Sequence, residues 1–281
     1  MRVLALSLVL CACGTHHPSA SVPHEAPVLA TKLPEGPPLV APGERMSYEL
    51  ALGGMELATY DLAVGDITDV AGKKAIVVQS HAKAVGLVKV VANIDDVFTS
   101  WIDVSTGRPL LWSVDEYATK SQDKERTEAR LAERSGDIVP ITFHLNDEPP
   151  TPEPQKVSMT DVWDYNAFLV AVRAWDAPPR STVSAEVLRS RFLWHVDLTI
   201  HGKETLHTAL GDLPALRIDG HTYKLTRQGT KFPDSDERDF SLWISDDDGR
   251  VPLQNVARTD YGDIKMTITE YVPGTGKRLR P

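Results

Sequence analysis

The chain has 281 residues, 42% of them hydrophobic and 25% charged, the balance of an ordinary globular protein. Its 39 acidic residues outnumber 30 basic ones, for a net charge of −9, which repels phosphate backbones and removes DNA and RNA from the candidate partners. No segment after the N-terminus approaches the roughly 18 consecutive apolar residues of a membrane-spanning helix.

The N-terminus reads as an export signal. Met1 and Arg2 give a short positive start, residues 3–10 are apolar but too short to span a bilayer, and Leu10-Cys11-Ala12-Cys13-Gly14 follows. Small residues before a cysteine resemble the lipobox of bacterial lipoproteins, and Cys13 fits best, with Ala12 before it and Leu10 three residues back. Cys11 fits less well, because Leu10 would take the small-residue position. The competing reading is an ordinary secretory signal cut near Ala20. Acyl chains on Cys13 would hold the domain on a bilayer, with the membrane as a partner through that lipid. The mature chain would then carry no free thiol, which excludes disulfides, thiol catalysis and cysteine metal sites. Gly14, rather than Asp, fits sorting to the outer membrane. Residues 15–42 are proline-rich and aperiodic, as in an extended tether, with His16, His17 and His24 solvated.

The first half alternates. In residues 44–52, Met46, Tyr48, Leu50 and Leu52 share one face, Gly53-Gly54 signals a hairpin, and 55–64 return. Strands follow over 75–84, 97–104 and 110–119. Residues 84–95 read as a short helix or another strand. The charged run 121–135 is a solvated face of a helix or of a ribbon, and 146–155 is a loop dense in proline and acid. One helix is expected over 160–175, with Thr160 as N-cap, Asp161 and Asp164 near its positive end, and Val162, Tyr165, Phe168, Leu169 and Val172 at helical spacing. Trp163 and Trp175 are expected in the core.

The second half is again β. Phe192, Trp194, Val196, Leu198 and Ile200 alternate without a break. A turn is expected at His201-Gly202-Lys203, a return over 204–210, a second turn at 211–214 and a strand over 215–226. Residues 240–271 read as three strands separated by Asp246-Asp247-Asp248-Gly249 and Asp260-Tyr261-Gly262-Asp263. The expected fold is mainly β: an antiparallel curved sheet, β-sandwich or half-barrel with one packed α-helix near residues 160–175. The expected division is a signal peptide over 1–12, a tether over 13–42, a single β-rich domain over 43–272 and a disordered tail over 273–281.

Chemical motifs are sparse. His195, His201 and His207 are evenly spaced, but the expected turn separates them, and spacing alone does not make zinc ligands converge. An EF-hand starting at Asp246 would need a carboxylate at its twelfth position, which is Ala257, so the run reads as a turn. No G-x-S-x-G motif is present. The adjacent carboxylates Asp95 with Asp96, and Asp234 with Asp236, read as solvated loop residues rather than a glycosidase pair. No cofactor is implied. One polar constellation stands out: Arg217, Asp219, His221 and Tyr223 share a face by period two, as do His195 and Asp197. Inside a curved sheet they would form a polar groove; facing outward they would be wetted strands, the favoured reading.

The start Pro42-Gly43-Glu44…Tyr48, the run 210–218, and the endings 243–252 and 261–271 together resemble domain of unknown function family 3108, exported bacterial proteins of mostly antiparallel β-fold. The resemblance implies that fold over about residues 42–272 and a cell-envelope location, and brings no catalytic residues. The expected function is a lipid-anchored, non-catalytic envelope module that binds a protein, glycan or lipid. A lipid or lipoprotein carrier with an apolar groove, and a glycan or peptidoglycan hydrolase, are the alternatives.

Overall fold

The computed structural model describes residues 28–86, 88–91, 94–117, 123–233, 235 and 237–280. The signal, Cys13 and the first half of the tether lie outside these residues.

Strand β1 (Leu29–Ala30) is followed by β2 (Arg45–Leu52), β3 (Met55–Val70), β4 (Lys73–Ala84), helix α1 (Val88–Val91), β5 (Asp95–Asp103), β6 (Pro109–Tyr117) and β7 (Lys124–Ala129). A crossover holds β8 (Ile138–Val139), β9 (Ile141–Leu145), β10 (Thr151–Pro152), β11 (Gln155–Lys156), β12 (Val162–Asp164) and helix α2 (Tyr165–Arg173). The second half is β13 (Ser181–Arg189), β14 (Phe192–Thr208), β15 (Gly211–Lys224), β16 (Arg238–Ser245), β17 (Pro252–Thr259) and β18 (Gly262–Val272).

Two antiparallel meanders make one sheet. The first runs β2 to β7 and on to β9; the second runs β13 to β18. They join where the last strand pairs with the first long one, from Ile264 opposite Leu52 to Val272 opposite Arg45. The sheet rolls around α2, but its ends do not pair to close a barrel. Instead they pass each other. Trp112 and Val114 of β6 pack with Leu188 and Leu193, on the face of β13 and β14 opposite Val187 and Val196. The segment 153–164 straps the seam. Lys156 N donates to Arg227 O (3.0 Å), Val157 N to Asp137 O (2.8 Å), and β12 runs parallel to β13.

Helix α2 fills the roll. Asn166, Ala167, Phe168, Val170, Ala171, Val172 and Arg173 are all buried. Asn166 donates to the carbonyls of Val78 and Phe98 and accepts from Ser80 Oγ, so one polar side chain ties the helix to β4 and β5. Trp163 and Trp175, expected in the core, are buried there. Such a core is mainly β with one packed helix, as the alternation implies.

Several boundaries differ from the sequence expectation, each for a tertiary reason. The helix begins at Tyr165, and Asp164, not Thr160, caps it by accepting from Ala167 N at 2.8 Å. Residues 162–164 are held extended by pairing with Glu186, Val187 and Leu188. The expected turn at Gly202 is a bulge within β14: the register slips between Ile200 and Gly202, whose φ of +148° suits glycine, and the strand continues to Thr208. Two readings left open resolve within their alternatives: residues 124–129 of the charged run form β7, the ribbon, and Val88–Val91 form the short helix.

The ends of the domain are also wider than expected. Leu33 and Val40 are buried in the main core, Leu39 is buried beside them in the chain, and Trp175 Nε1 donates to Thr31 Oγ1 at 3.0 Å. Residues 28–42 therefore dock on the sheet: β1 pairs parallel with β13, Thr31 N donates to Thr182 O and Gly36 N to Thr106 O, and the prolines, which offer no N–H, limit the ladder to this short pairing. Residues 273–280, expected to be disordered, pack beside them. Leu279 lies against the core and its N–H donates to Val40 O, while Arg280 donates to Pro37 O.

Candidate functional site

Strict alternation along β14 sends Val196, Leu198 and Ile200 into the core and His195, Asp197 and Thr199 outward. Register then decides which polar residues meet. His195 lies opposite Tyr223, Asp197 opposite His221 and Thr199 opposite Asp219. On the next strand Asp219 faces Ser241, His221 faces Asp239 and Arg217 faces Trp243. All six residues singled out from the sequence, His195, Asp197, Arg217, Asp219, His221 and Tyr223, thus share one face. It is the outer face. Four of them, Asp197, Arg217, Asp219 and His221, line a shallow groove of about 410 Å³ that Arg258 of β17 also borders.

The face is a lattice of charge pairs. Asp219 Oδ1 accepts from Arg217 Nε (2.9 Å) and Ser241 Oγ (2.7 Å), and His201 Nδ1 lies 3.2 Å from its Oδ2. Partial burial would raise the Asp219 carboxyl, but the bonds from Ser241 and Arg217 outweigh it and hold the group below its usual range. Asp197 Oδ1 accepts from Ser184 Oγ at 2.5 Å and meets His195 Nε2 at 3.2 Å. His221 sits between two carboxylates, with Nδ1 2.8 Å from Asp239 and Nε2 2.9 Å from Glu237. The ring of His195 stacks on Tyr223 with centroids 4.9 Å apart. Burial, then the charges of Asp197 and Glu186, push the Tyr223 hydroxyl upward.

Ser241, Asp239, Glu237, Trp243 and Arg258 belong to this neighbourhood and were not singled out from the sequence, and His201, noted there only for its spacing, joins them. Period two along β16 gives Asp239, Ser241 and Trp243 a common face, so the signal was present; only the pairing with β15 attaches it to Asp219. Every carboxylate named here already holds a hydrogen-bonding or charged partner.

The other chemical candidates separate. Among the described residues no group of three or more His, Cys, Asp or Glu side chains is disposed to hold a metal ion. His207 pairs with Asp212 at 2.5 Å, away from His195 and His201. Asp247 Oδ1 accepts from Ser245 Oγ, Gly249 N and Arg250 N, so the acidic run is a side-chain-stabilised turn, as its composition predicts. Asp95 meets His81, whose hydrogen bond holds its carboxyl low; burial pushes neighbouring Asp96 up, and the two diverge. Asp234 and Asp236 lie outside the described residues.

The motifs at the two ends of the chain converge on helix α2. Arg173 Nη2 donates to Glu44 Oε1 (2.7 Å) and Nη1 to Glu44 Oε2 (3.1 Å), with both side chains buried. Tyr271 donates to the same carboxylate at 3.2 Å, and Tyr48 donates to Pro252 O at 2.9 Å. These contacts join the segment around residues 42–48 to the endings around 243–252 and 261–271. The same stretch matches a family model described as "Protein of unknown function (DUF3108)", over residues 47–269. The chain belongs to the DUF3108 family.

Solved structures similar to this DUF3108 chain are distant in sequence. A β-barrel-like DUF1849 protein from Brucella abortus shares 7% identity, with 84% of this chain and 99% of that one covered and a TM-score of 0.52. The hypothetical lipoprotein YmcC from Escherichia coli shares 10% identity over 84% of this chain and 89% of its own, with a TM-score of 0.28. An exported protein with a YmcC-like fold from Bacteroides fragilis shares 5% identity over 85% and 99%, with a TM-score of 0.34. The first supports a barrel-like roll as the fold of the DUF3108 domain. No curated protein matches the sequence.

Proposed function

We propose that this chain is a lipid-anchored protein of the bacterial cell envelope, attached through Cys13, whose domain is a non-catalytic module that binds a partner or ligand on the outer face of β14, β15 and β16. The observation that carries this reading is the position of α2. The helix occupies the middle of the roll, and Trp163, Val170, Val172 and Trp175 fill it to near-complete burial. An apolar interior already packed with its own side chains speaks against an enclosed lipid site, so recognition belongs outside. The outer groove offers Arg217 and Arg258 beside Asp197, Asp219 and Asp239, a geometry for polar groups of either sign.

Export and anchoring are supported by the order of Arg2, the apolar run 3–10 and Ala12-Cys13. Outer-membrane residence rests on Gly14 after the cysteine. The test has two arms. Mass spectrometry of the N-terminal peptide from native membranes is expected to find acyl chains on Cys13; an unmodified peptide starting near residue 21 overturns the anchor. A photo-crosslinking amino acid at Thr199 is expected to form a discrete adduct in living cells, lost when Arg217→Glu is added. The absence of any adduct at Thr199 overturns the binding face.

A further inference from the structure

At the end of β15 away from the 209–210 turn, positive charge accumulates in a chain whose net charge is −9. Arg191 sits in the turn between β13 and β14, Lys224 ends β15, and Arg227 follows three residues later. All three surround one ring. Lys224 Nζ lies 3.2 Å from the centroid of Phe192, and the guanidinium carbons of Arg191 and Arg227 lie 5.6 and 5.5 Å from it. Lys224 also stands 4.8 Å from the ring of Phe232, and Arg191 3.8 Å from that of Phe143.

Among the described residues the carboxylate that pairs with them is Glu153 alone. Glu153 Oε1 accepts from Arg191 Nη2 at 2.5 Å, and Glu153 Oε2 accepts from Arg227 Nη2. Arg227 spends a further donor on Arg191 O at 2.8 Å. Among the described residues no carboxylate reaches Lys224; its neighbours are the two rings. Ring quadrupoles attract a cation but carry no net charge, so the repulsion among three cations is only partly relieved. Burial, followed by the charges of Arg227 and Arg191, pushes the Lys224 ammonium below the ordinary lysine range. Burial lowers Arg227 too, with Arg191 adding to it against the opposing pull of Glu153. Phe232 is 41% exposed, so the cluster opens to solvent rather than to the core.

We propose that Arg191, Lys224 and Arg227 form a binding site for a phosphoryl anion, with Phe192 and Phe232 as its apolar wall. Glu153 orients the two guanidinium groups and leaves part of their fork of donors for phosphate oxygens, while Lys224 supplies a point charge. Three cations against one carboxylate leave an excess of positive charge, which a dianionic monoester neutralises and a diester halves. The aromatic wall suits an ester whose carbon portion lies beside the phosphate. The shared chemistry is a phosphate monoester or diester, whether free or part of a phospholipid head group. The site lies apart from the groove around Asp219, and the proposal stands independently of the binding face described above.

The test uses the full chain carrying Cys11→Ser and Cys13→Ser, so that no acyl chain contributes. Equilibrium dialysis with radiolabelled inorganic phosphate measures the free anion. Co-sedimentation with phosphatidylglycerol–phosphatidylcholine vesicles, against phosphatidylcholine alone, measures the head group. Saturable binding in either arm is expected, and which arm responds identifies the source. Lys224→Gln, which keeps length and polarity, is expected to weaken that binding at least about tenfold through loss of a charge-assisted contact. Lys231→Gln, whose lysine is paired with Glu237, is expected to leave it unchanged. An unchanged circular dichroism melt of Lys224→Gln separates lost binding from lost folding. No saturable binding in both arms, or binding that Lys224→Gln leaves intact, overturns the site.

Discussion

Arg173 and Glu44, 129 residues apart in sequence, form a two-pronged ion pair inside the roll. The guanidinium also donates to the carbonyls of Gly249 and Arg250, at 2.8 and 3.1 Å. Arg250 answers by donating to the carbonyls of Arg173 and Trp175, which satisfies the C-terminal end of α2. One buried arginine therefore joins the start of the domain, the central helix and the acidic turn. Removing one partner strands a buried charge, which costs about 3–5 kcal/mol. Glu44→Gln and Arg173→Met are each expected to lower stability by about that much in urea titrations. The double variant is expected to recover a good part of the loss. Additive losses in the double variant would show that the two side chains are not coupled.

The helix cap carries a pH dependence. Asp164 Oδ1 accepts from Ala167 N and from Ser100 Oγ at 2.6 Å, yet burial pushes its carboxyl up to about 7. A raised acid stabilises nothing by ionising. In the unfolded chain the proton leaves near pH 4, while the fold keeps it to about 7, so stability falls across that window and levels off above it. At ~1.4 kcal/mol per pH unit the loss at pH 8 is roughly 4 kcal/mol. Asp164→Asn keeps the acceptor for both hydrogen bonds and has no proton to lose. Its stability relative to the parent is expected to rise between pH 4 and pH 7, measured by urea unfolding at each pH. A difference that stays flat over this range would remove Asp164 as its source.

On the outer face the sign is reversed. Ser241 and Arg217 hold Asp219 below the usual carboxylate range, so its contribution is present above that range and fades as pH falls through the folded value. The side chain is 36% exposed, and solvent screening keeps the term small. Asp219→Asn is expected to change stability by no more than about 1 kcal/mol at pH 7. The same variant is expected to abolish the Thr199 crosslink in cells. Loss of the fold with Asp219→Asn would make the residue structural rather than part of a recognition surface.

Gly220 makes room for an aromatic ring. A Cβ at this position would lie 2.2 Å from Phe240 Cζ, on the neighbouring strand directly opposite. The ring covers the bare backbone of the sheet. Gly220→Ala is expected to cost about 1–3 kcal/mol through the displaced ring. Combining it with Phe240→Leu is expected to cost less than the sum of the two single changes. Thermal melts of the four proteins give the coupling directly.

Much of the strand pattern was legible because strand and turn chemistry are local. Gly53-Gly54 and the acidic turns mark hairpins by the backbone angles those residues accept, and 240–271 divides into β16, β17 and β18 as predicted. Thr160 was a plausible cap by composition. Asp164 does the capping because Val162 and Trp163 are paired to β13, a contact no window of neighbouring residues contains. Gly202 looked like a turn since glycine marks both turns and bulges; only the continued pairing of Lys203 with Leu216 separates them. Leu33 and Leu279 sit in segments whose composition predicts disorder, and they are ordered by each other's surroundings.

By itself, then, the sequence determined the class of fold, the alternation of its clearest strands and the family. These follow from period-two burial and from residue types that constrain their own backbone. Tertiary structure alone decided that α2 lies inside the roll, that the two meanders join between β18 and β2, and which partners the six outward polar residues meet across the strands. It also gathered Arg191, Lys224 and Arg227 around one phenylalanine. The physical reason is distance along the chain: each of these outcomes depends on the register of strands, or on closing loops, that no local preference encodes.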